Sequence, residues 1–220
     1  DGVIIRDVDV IEAVQRYTAR SNAVSVLEHI IDALHRAGIT WVFCDTRFSG
    51  LNNTFGKAVR RLSDGIVYNP FALTKDGQVR TSAEMFSTMR EFSAEPMYAW
   101  AYDTLAEDDL QKRILSLAMY YISIPNGGVH RRAYSSNVGG APRWDVLWNI
   151  DIGYPAASAI KRAAITAWSR RFTNGWVAVN YTSKAVKYSL AKQYQNVANG
   201  EVVVGSVTLE PFSGIILKAS

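Results

Sequence analysis

The sequence predicts an α/β chain: the C-terminal part of a (β/α)8 TIM-like barrel, followed by a small antiparallel β module. Three observations carry this. Short, wholly apolar runs alternate with helical segments over residues 1–125, which is how parallel strands buried on both faces read. The opening Asp1-Gly2-Val3-Ile4-Ile5 recurs as Asp64-Gly65-Ile66-Val67-Tyr68, as successive βα units of one architecture would. From Ala167 the period changes to two, and Asn174-Gly175 between two such runs is a strong hairpin signal.

In chain order, Val3–Ile5 is the first strand and a helical segment spans about 10–20. In the next helix Val24, Leu27, Ile30, Ile31 and Leu34 share a face, and Gly38 stands where a helix C-terminal glycine belongs. Trp41 to Cys44 is the second strand, and a third helix, about Thr54 to Leu62, leads into the repeated Asp-Gly strand. Thr81-Ser82-Ala83-Glu84 is a capping box ahead of a helix with Met85, Phe86, Met89 and Phe92 as its core stripe. After Pro96, Tyr98-Ala99-Trp100-Ala101-Tyr102-Asp103 reads as a strand with its aromatics on one face. Thr104-Leu105-Ala106-Glu107 is a second capping box, its helix carrying Leu110, Ile114, Leu117 and Tyr121, and Tyr120 to Ile124 reads as a fifth strand. Residues 126–160, rich in Gly and Pro, read as a connecting stretch, and 161–220 as the antiparallel module of about five strands.

An open dinucleotide-binding sheet would want a glycine-rich loop after its first strand, and Gly127-Gly128 is misplaced and misspaced for that. A barrel suits the polar strand ends, but needs about eight strands, so its first units are expected upstream of Asp1 or from another chain.

Composition narrows the function. A net charge of +4 comes from dispersed basic residues, against the concentrated patch a nucleic-acid binder shows. No run reaches the roughly 18 apolar residues of a membrane helix, and no signal peptide is read, although a chain opening on Asp1 leaves the compartment unassigned. The lone Cys44, inside Trp41-Val42-Phe43-Cys44, reads as a small buried hydrophobe, and no Cys/His spacing suits zinc. The expectation is therefore no cofactor, no metal, no nucleic acid and no membrane partner.

Strand ends are where barrel chemistry sits. Here they offer Asp7 and Asp9, then Asp45 and Arg47, then Asn69, then Trp100, Tyr102 and Asp103, then Asn126. Glycoside hydrolysis uses two carboxyl groups flanking the bond, so Asp103, with Asp45 or Asp7, is the candidate catalytic pair. Trp100, Tyr102 and Tyr68 are candidates for stacking on a sugar, and Arg47 for holding a hydroxyl or an acidic sugar. An Asp after a strand equally serves as a helix N-cap, and Trp100 and the tyrosines equally as core.

The region from Trp144 onward carries a resemblance. Trp144-Asp145, Asn149-Ile150-Asp151-Ile152-Gly153-Tyr154-Pro155 and Trp168 through Asn180 resemble the end of glycoside-hydrolase-like proteins that join a (β/α)8 barrel to a C-terminal β-sandwich. Val207 to Leu217 is similar to the last hairpin of many such sandwiches. The resemblance implies a sandwich at 161–220 and a protein that acts on or binds a polysaccharide. It also exposes two departures. Arg6 stands where such proteins carry an inward Asp, and Asn69 where they carry Glu, which leaves both as substrate-binding candidates. The alternative it implies is a catalytically inactive barrel, structural or glycan-binding, with further copies or other chains as partners in an assembly such as a viral tail.

Overall fold

The computed structural model describes residues 2–6, 21–46, 54–74, 76–105, 109–127, 131–138, 146–162 and 166–220. Asp7, Asp9, the helical segment at 10–20, Arg47, His130, Trp144 and Asp145 lie outside these residues. The chain is mixed α/β and divides into two compact units. The first comprises 1–70, 95–102 and 131–133; the second comprises 71–94, 103–130 and 134–220.

In the first unit β1 (Gly2–Ile5), β2 (Trp41–Thr46), β3 (Gly65–Tyr68) and β4 (Tyr98–Leu105) pair side by side in parallel. With β5 (Arg132–Val138) they make an open five-stranded sheet in sequential order. That order has no reversal point, unlike a doubly wound sheet, and the described strands do not close into a barrel. Helices α1 (Ser21–Arg36) and α2 (Thr54–Leu62) supply the connections. Leu27 and Ile31 of α1 are buried, and Gly38 takes φ +88° just past its end, where the Ile39 N–H donates to Leu34 O at 3.1 Å. The expected C-terminal glycine is thus in place.

In the second unit β6 (Ile160–Lys161), β7 (Ala167–Arg171), β8 (Gly175–Asn180), β10 (Tyr194–Asn196), β11 (Val202–Val203) and β13 (Ser213–Ala219) form a six-stranded antiparallel sheet. A two-stranded sheet of β9 (Val186–Ser189) and β12 (Ser206–Leu209) lies against one face. Trp176, Ala178, Tyr188, Leu209, Ile215 and Leu217 form the core between them, which makes the arrangement sandwich-like. All six residues of β8 are buried, because helix α4 (Leu110–Ser123) covers the other face. Helix α3 (Ser82–Ala94) packs on α4.

Two expectations fail here. Tyr120 to Ile124 is not a strand: Tyr120–Ser123 is the last turn of α4, and the fifth strand is Arg132–Val138, inside the stretch read as connecting. A short apolar run does not distinguish buried helix from buried strand. The second capping box is not where the helix begins, and its Glu107 lies outside the described residues. Thr104 is still in β4, and α4 is capped by Asp109, whose carboxylate accepts the Lys112 N–H at 2.9 Å. The first box is as expected, with Glu84 accepting the Thr81 N–H at 2.9 Å.

Helix α4 approaches the sheet at Gly214. A Cβ there would stand 2.9 Å from Leu115 Cα and 3.1 Å from Ala118 Cβ, so only glycine allows this closeness. Gly214→Val should push α4 off β13 and cost about 2–3 kcal/mol, read as a lower urea midpoint at unchanged m-value.

Candidate functional site

Register decides which side chains share a face. Ile4, Phe43, Gly65 and Tyr98 lie in one cross-strand row, and Asp45, Val67 and Trp100 in the next row toward the C-terminal strand ends. The alternation of β-strands adds Trp41 and Tyr102 to that face, and puts Arg6 and Asn69 in step with it just past β1 and β3. The opposite face carries Val42, Cys44, Ile66, Tyr68, Ala99 and Ala101, all buried.

The first face is aromatic and partly open. Trp41 and Tyr98 meet edge-on with ring centroids 5.0 Å apart, and Phe43 and Trp100 at 6.3 Å. Phe43 lies across Gly65, where a Cβ would be 2.4 Å from Phe43 Cε1 and 2.8 Å from Tyr98 O. Trp41 and Tyr98 keep 41% and 39% of their surface. At the C-terminal end of the same face Asp45 accepts a hydrogen bond from Asn69 Nδ2 at 2.9 Å. Asp45 and Trp100 stand two strands apart, about 10 Å at ordinary strand spacing.

The candidates read from sequence divide as follows. Asp45, Asn69, Trp100, Tyr102 and Arg6 belong to this face, while Asp7 and Arg47 lie outside the described residues. Tyr68 is on the other face, 1% exposed, its hydroxyl donating to Glu95 Oε2 at 2.9 Å. Arg60 Nε donates to the same oxygen at 2.9 Å. Burial and then the negative charge of Glu95 push the Tyr68 phenol up. Cys44 is fully buried, and burial pushes its thiol up to about 12, as an inert structural cysteine requires.

Asp103 departs most from expectation. The aromatics of β4 do not wall it, because it shares the parity of Ala99 and Ala101 and is fully buried on their side of the strand. Within the second unit its carboxylate accepts the N–H groups of Phe71 at 2.8 Å, Ala72 at 3.0 Å and Leu73 at 3.3 Å, and the Ser116 hydroxyl at 2.6 Å. Three successive amides around one carboxylate form a nest. Burial outweighs these donors and pushes the Asp103 carboxyl up to about 6. Its role in the fold is to fasten residues 71–73.

Sequence reasoning left Trp41, Phe43 and Tyr98 out of the candidate set. Their parity with Trp100 was the available signal, but it becomes usable only once the register between strands is known.

Residues 173–219 match the family of the β-galactosidase C-terminal domain, so the C-terminal region is glycoside-hydrolase-like. Among solved structures, the pullulanase of Anoxybacillus sp. LM18-11 complexed with maltotetraose aligns at TM-score 0.43 and 9% identity, over 91% of this chain and 47% of that one. The acarbose-soaked debranching enzyme of Nostoc punctiforme aligns at TM-score 0.36 and 12% identity, over 91% of this chain and 61% of that one. No curated protein sequence gives a significant match.

Proposed function

We propose that this chain is the carbohydrate-binding part of a glycoside-hydrolase-like protein, with the aromatic face of the first unit as its sugar platform. The observation that carries this is the register. It puts Trp100, Tyr102 and Asn69, all partly exposed, on the same face as Asp45, which is itself buried beneath Asn69. Flat rings accept the C–H faces of pyranoses, and a carboxylate and an amide accept and donate to hydroxyls. The sequential strand order is that of neighbouring strands in a (β/α)8 barrel, whose sites sit at the C-terminal strand ends. The β-galactosidase C-terminal match supports the substrate class.

Binding without cleavage is the reading favoured here. Cleavage uses two carboxyl groups at the bond, and the Asp103 side chain is fully buried and held by four donors. The test is a tryptophan-fluorescence titration of the full chain with galactotriose and with maltotriose, and an assay for released reducing sugar. Saturable binding is expected, weakened at least tenfold in Trp100→Ala, with no sugar released. Turnover that vanishes in Asp45→Asn would replace this reading with an enzymatic one, and equal binding by Trp100→Ala would remove the aromatic face from it.

A further inference from the structure

We infer that the second unit carries its own saccharide site, apart from the aromatic face, in a cleft whose lining includes Arg80, Ser82, Thr166, Tyr181, Ser183 and Phe212. The cleft is shallow and open to solvent, with a volume of about 570 Å³. This rests on the reading of the chain as carbohydrate-binding, and adds a second place where that chemistry is met.

The lining selects a polyol. Ser82, Thr166 and Ser183 bring hydroxyls to it, each able to donate and accept. Tyr181 is itself fully buried and closes the cleft from beneath, its hydroxyl turned away from solvent. Arg80 supplies a planar donor array. Asp103 and Glu84 lie near enough to favour its charge, which offsets the pull of that charge on a phosphate or a carboxylate. A neutral, hydroxyl-rich ligand fits this balance, and an anion does not.

Phe212 supplies the stacking surface. It is 45% exposed and takes φ 52°, a left-handed conformation that costs a non-glycine residue about 1 kcal/mol. A large apolar residue held out at such a position gains the fold little, and a ring at a cleft edge is what a sugar face needs. The turn that carries it is fixed. Asn180 Nδ2 donates to Leu209 O at 3.1 Å and Glu210 O at 2.9 Å, and the Ser213 hydroxyl to Glu210 O at 2.7 Å. Asn180 directly precedes Tyr181, so the ring and the base of the cleft are tied to one strand end. On the other side the Ser82 hydroxyl donates to Tyr181 O at 2.6 Å.

The test uses Phe212→Gly in the full chain, titrated calorimetrically with galactotriose and maltotriose beside wild type and Trp100→Ala. Glycine removes the ring and relieves the left-handed strain, so the variant should melt no lower than wild type. Wild type should show two sites, Phe212→Gly should weaken one at least tenfold, and Trp100→Ala the other. Two unchanged sites in Phe212→Gly overturn the inference and leave the aromatic face standing. A single site, lost in Phe212→Gly and kept in Trp100→Ala, overturns the aromatic face and leaves the cleft standing. Binding of neither sugar by wild type overturns both.

Discussion

Asp103→Ala should destabilise the protein by about 3 kcal/mol or more at pH 7, the cost of orphaning several buried donors at once. The change strands the N–H groups of Phe71, Ala72 and Leu73, and leaves the Ser116 hydroxyl with the Tyr134 hydroxyl at 2.8 Å. Asp103→Asn should fall between, because one amide oxygen still accepts while its NH2 turns against donors. The pH dependence separates this carboxyl from the rest. Its folded value, about 6, lies above the ordinary 3.8, so between those values the folded state holds a proton that the unfolded state has lost. Stability from this group is therefore full below about pH 4 and falls as pH rises to about 6, by up to about 3 kcal/mol at 1.36 kcal/mol per pH unit. Chemical unfolding of wild type and Asp103→Ala across that window should show the gap between them narrowing with rising pH. A gap independent of pH would mean that Asp103 is ionised throughout.

Arg170→Met should cost about 3–4 kcal/mol and lower the melting temperature by roughly 10 °C. Arg170 is 2% exposed and its guanidinium closes the C-terminal end of α4. It donates to Tyr121 O at 3.1 Å, Ile122 O at 3.3 Å, Ile124 O, and Asn126 Oδ1 at 2.6 Å, while Nε donates to Ala157 O at 3.0 Å. A helix C-terminus leaves carbonyls without partners and carries negative dipole charge, and one planar cation answers both. Methionine keeps the apolar stem and removes the donors. Arg170→Lys should recover little, since a point ammonium does not span the helix end and Ala157 together. Differential scanning calorimetry decides this, and a lysine variant melting like wild type would show that charge alone suffices.

The readable parts of the sequence were those set by local chemistry. Gly38 ends α1, Thr81 and Glu84 form their box, and the hairpin around Asn174 runs from β7 into β8, because each depends on a few neighbouring residues. The parity of β4 was legible too. Followed one residue further, it puts Asp103 on the alanine side, which the attraction of a carboxylate beside aromatics obscured. What was not legible is what arrives from afar. The nest at 71–73 lies some thirty residues before the acid it grips. Arg170 reaches α4 from more than forty residues away, and the Phe212 cleft joins four separate segments. The strand misread at Tyr120 has the same origin: α4 is buried by a sheet built from residues after 160, so its last turn is as apolar as a strand.

Helix α4 has a consequence for how this architecture can be inherited. The β strands after residue 160 look like a detachable module, and the family match at 173–219 begins within them. Yet one whole face of their sheet, with Val177, Val179 and Ile216 fully buried, is roofed by a helix encoded some fifty residues earlier. A gene fusion that borrowed only the strands would carry that face bare into water and would aggregate. The smallest portion of the second unit that recombination can move intact begins upstream of Leu110, so the roof and the strands beneath it are expected to travel together.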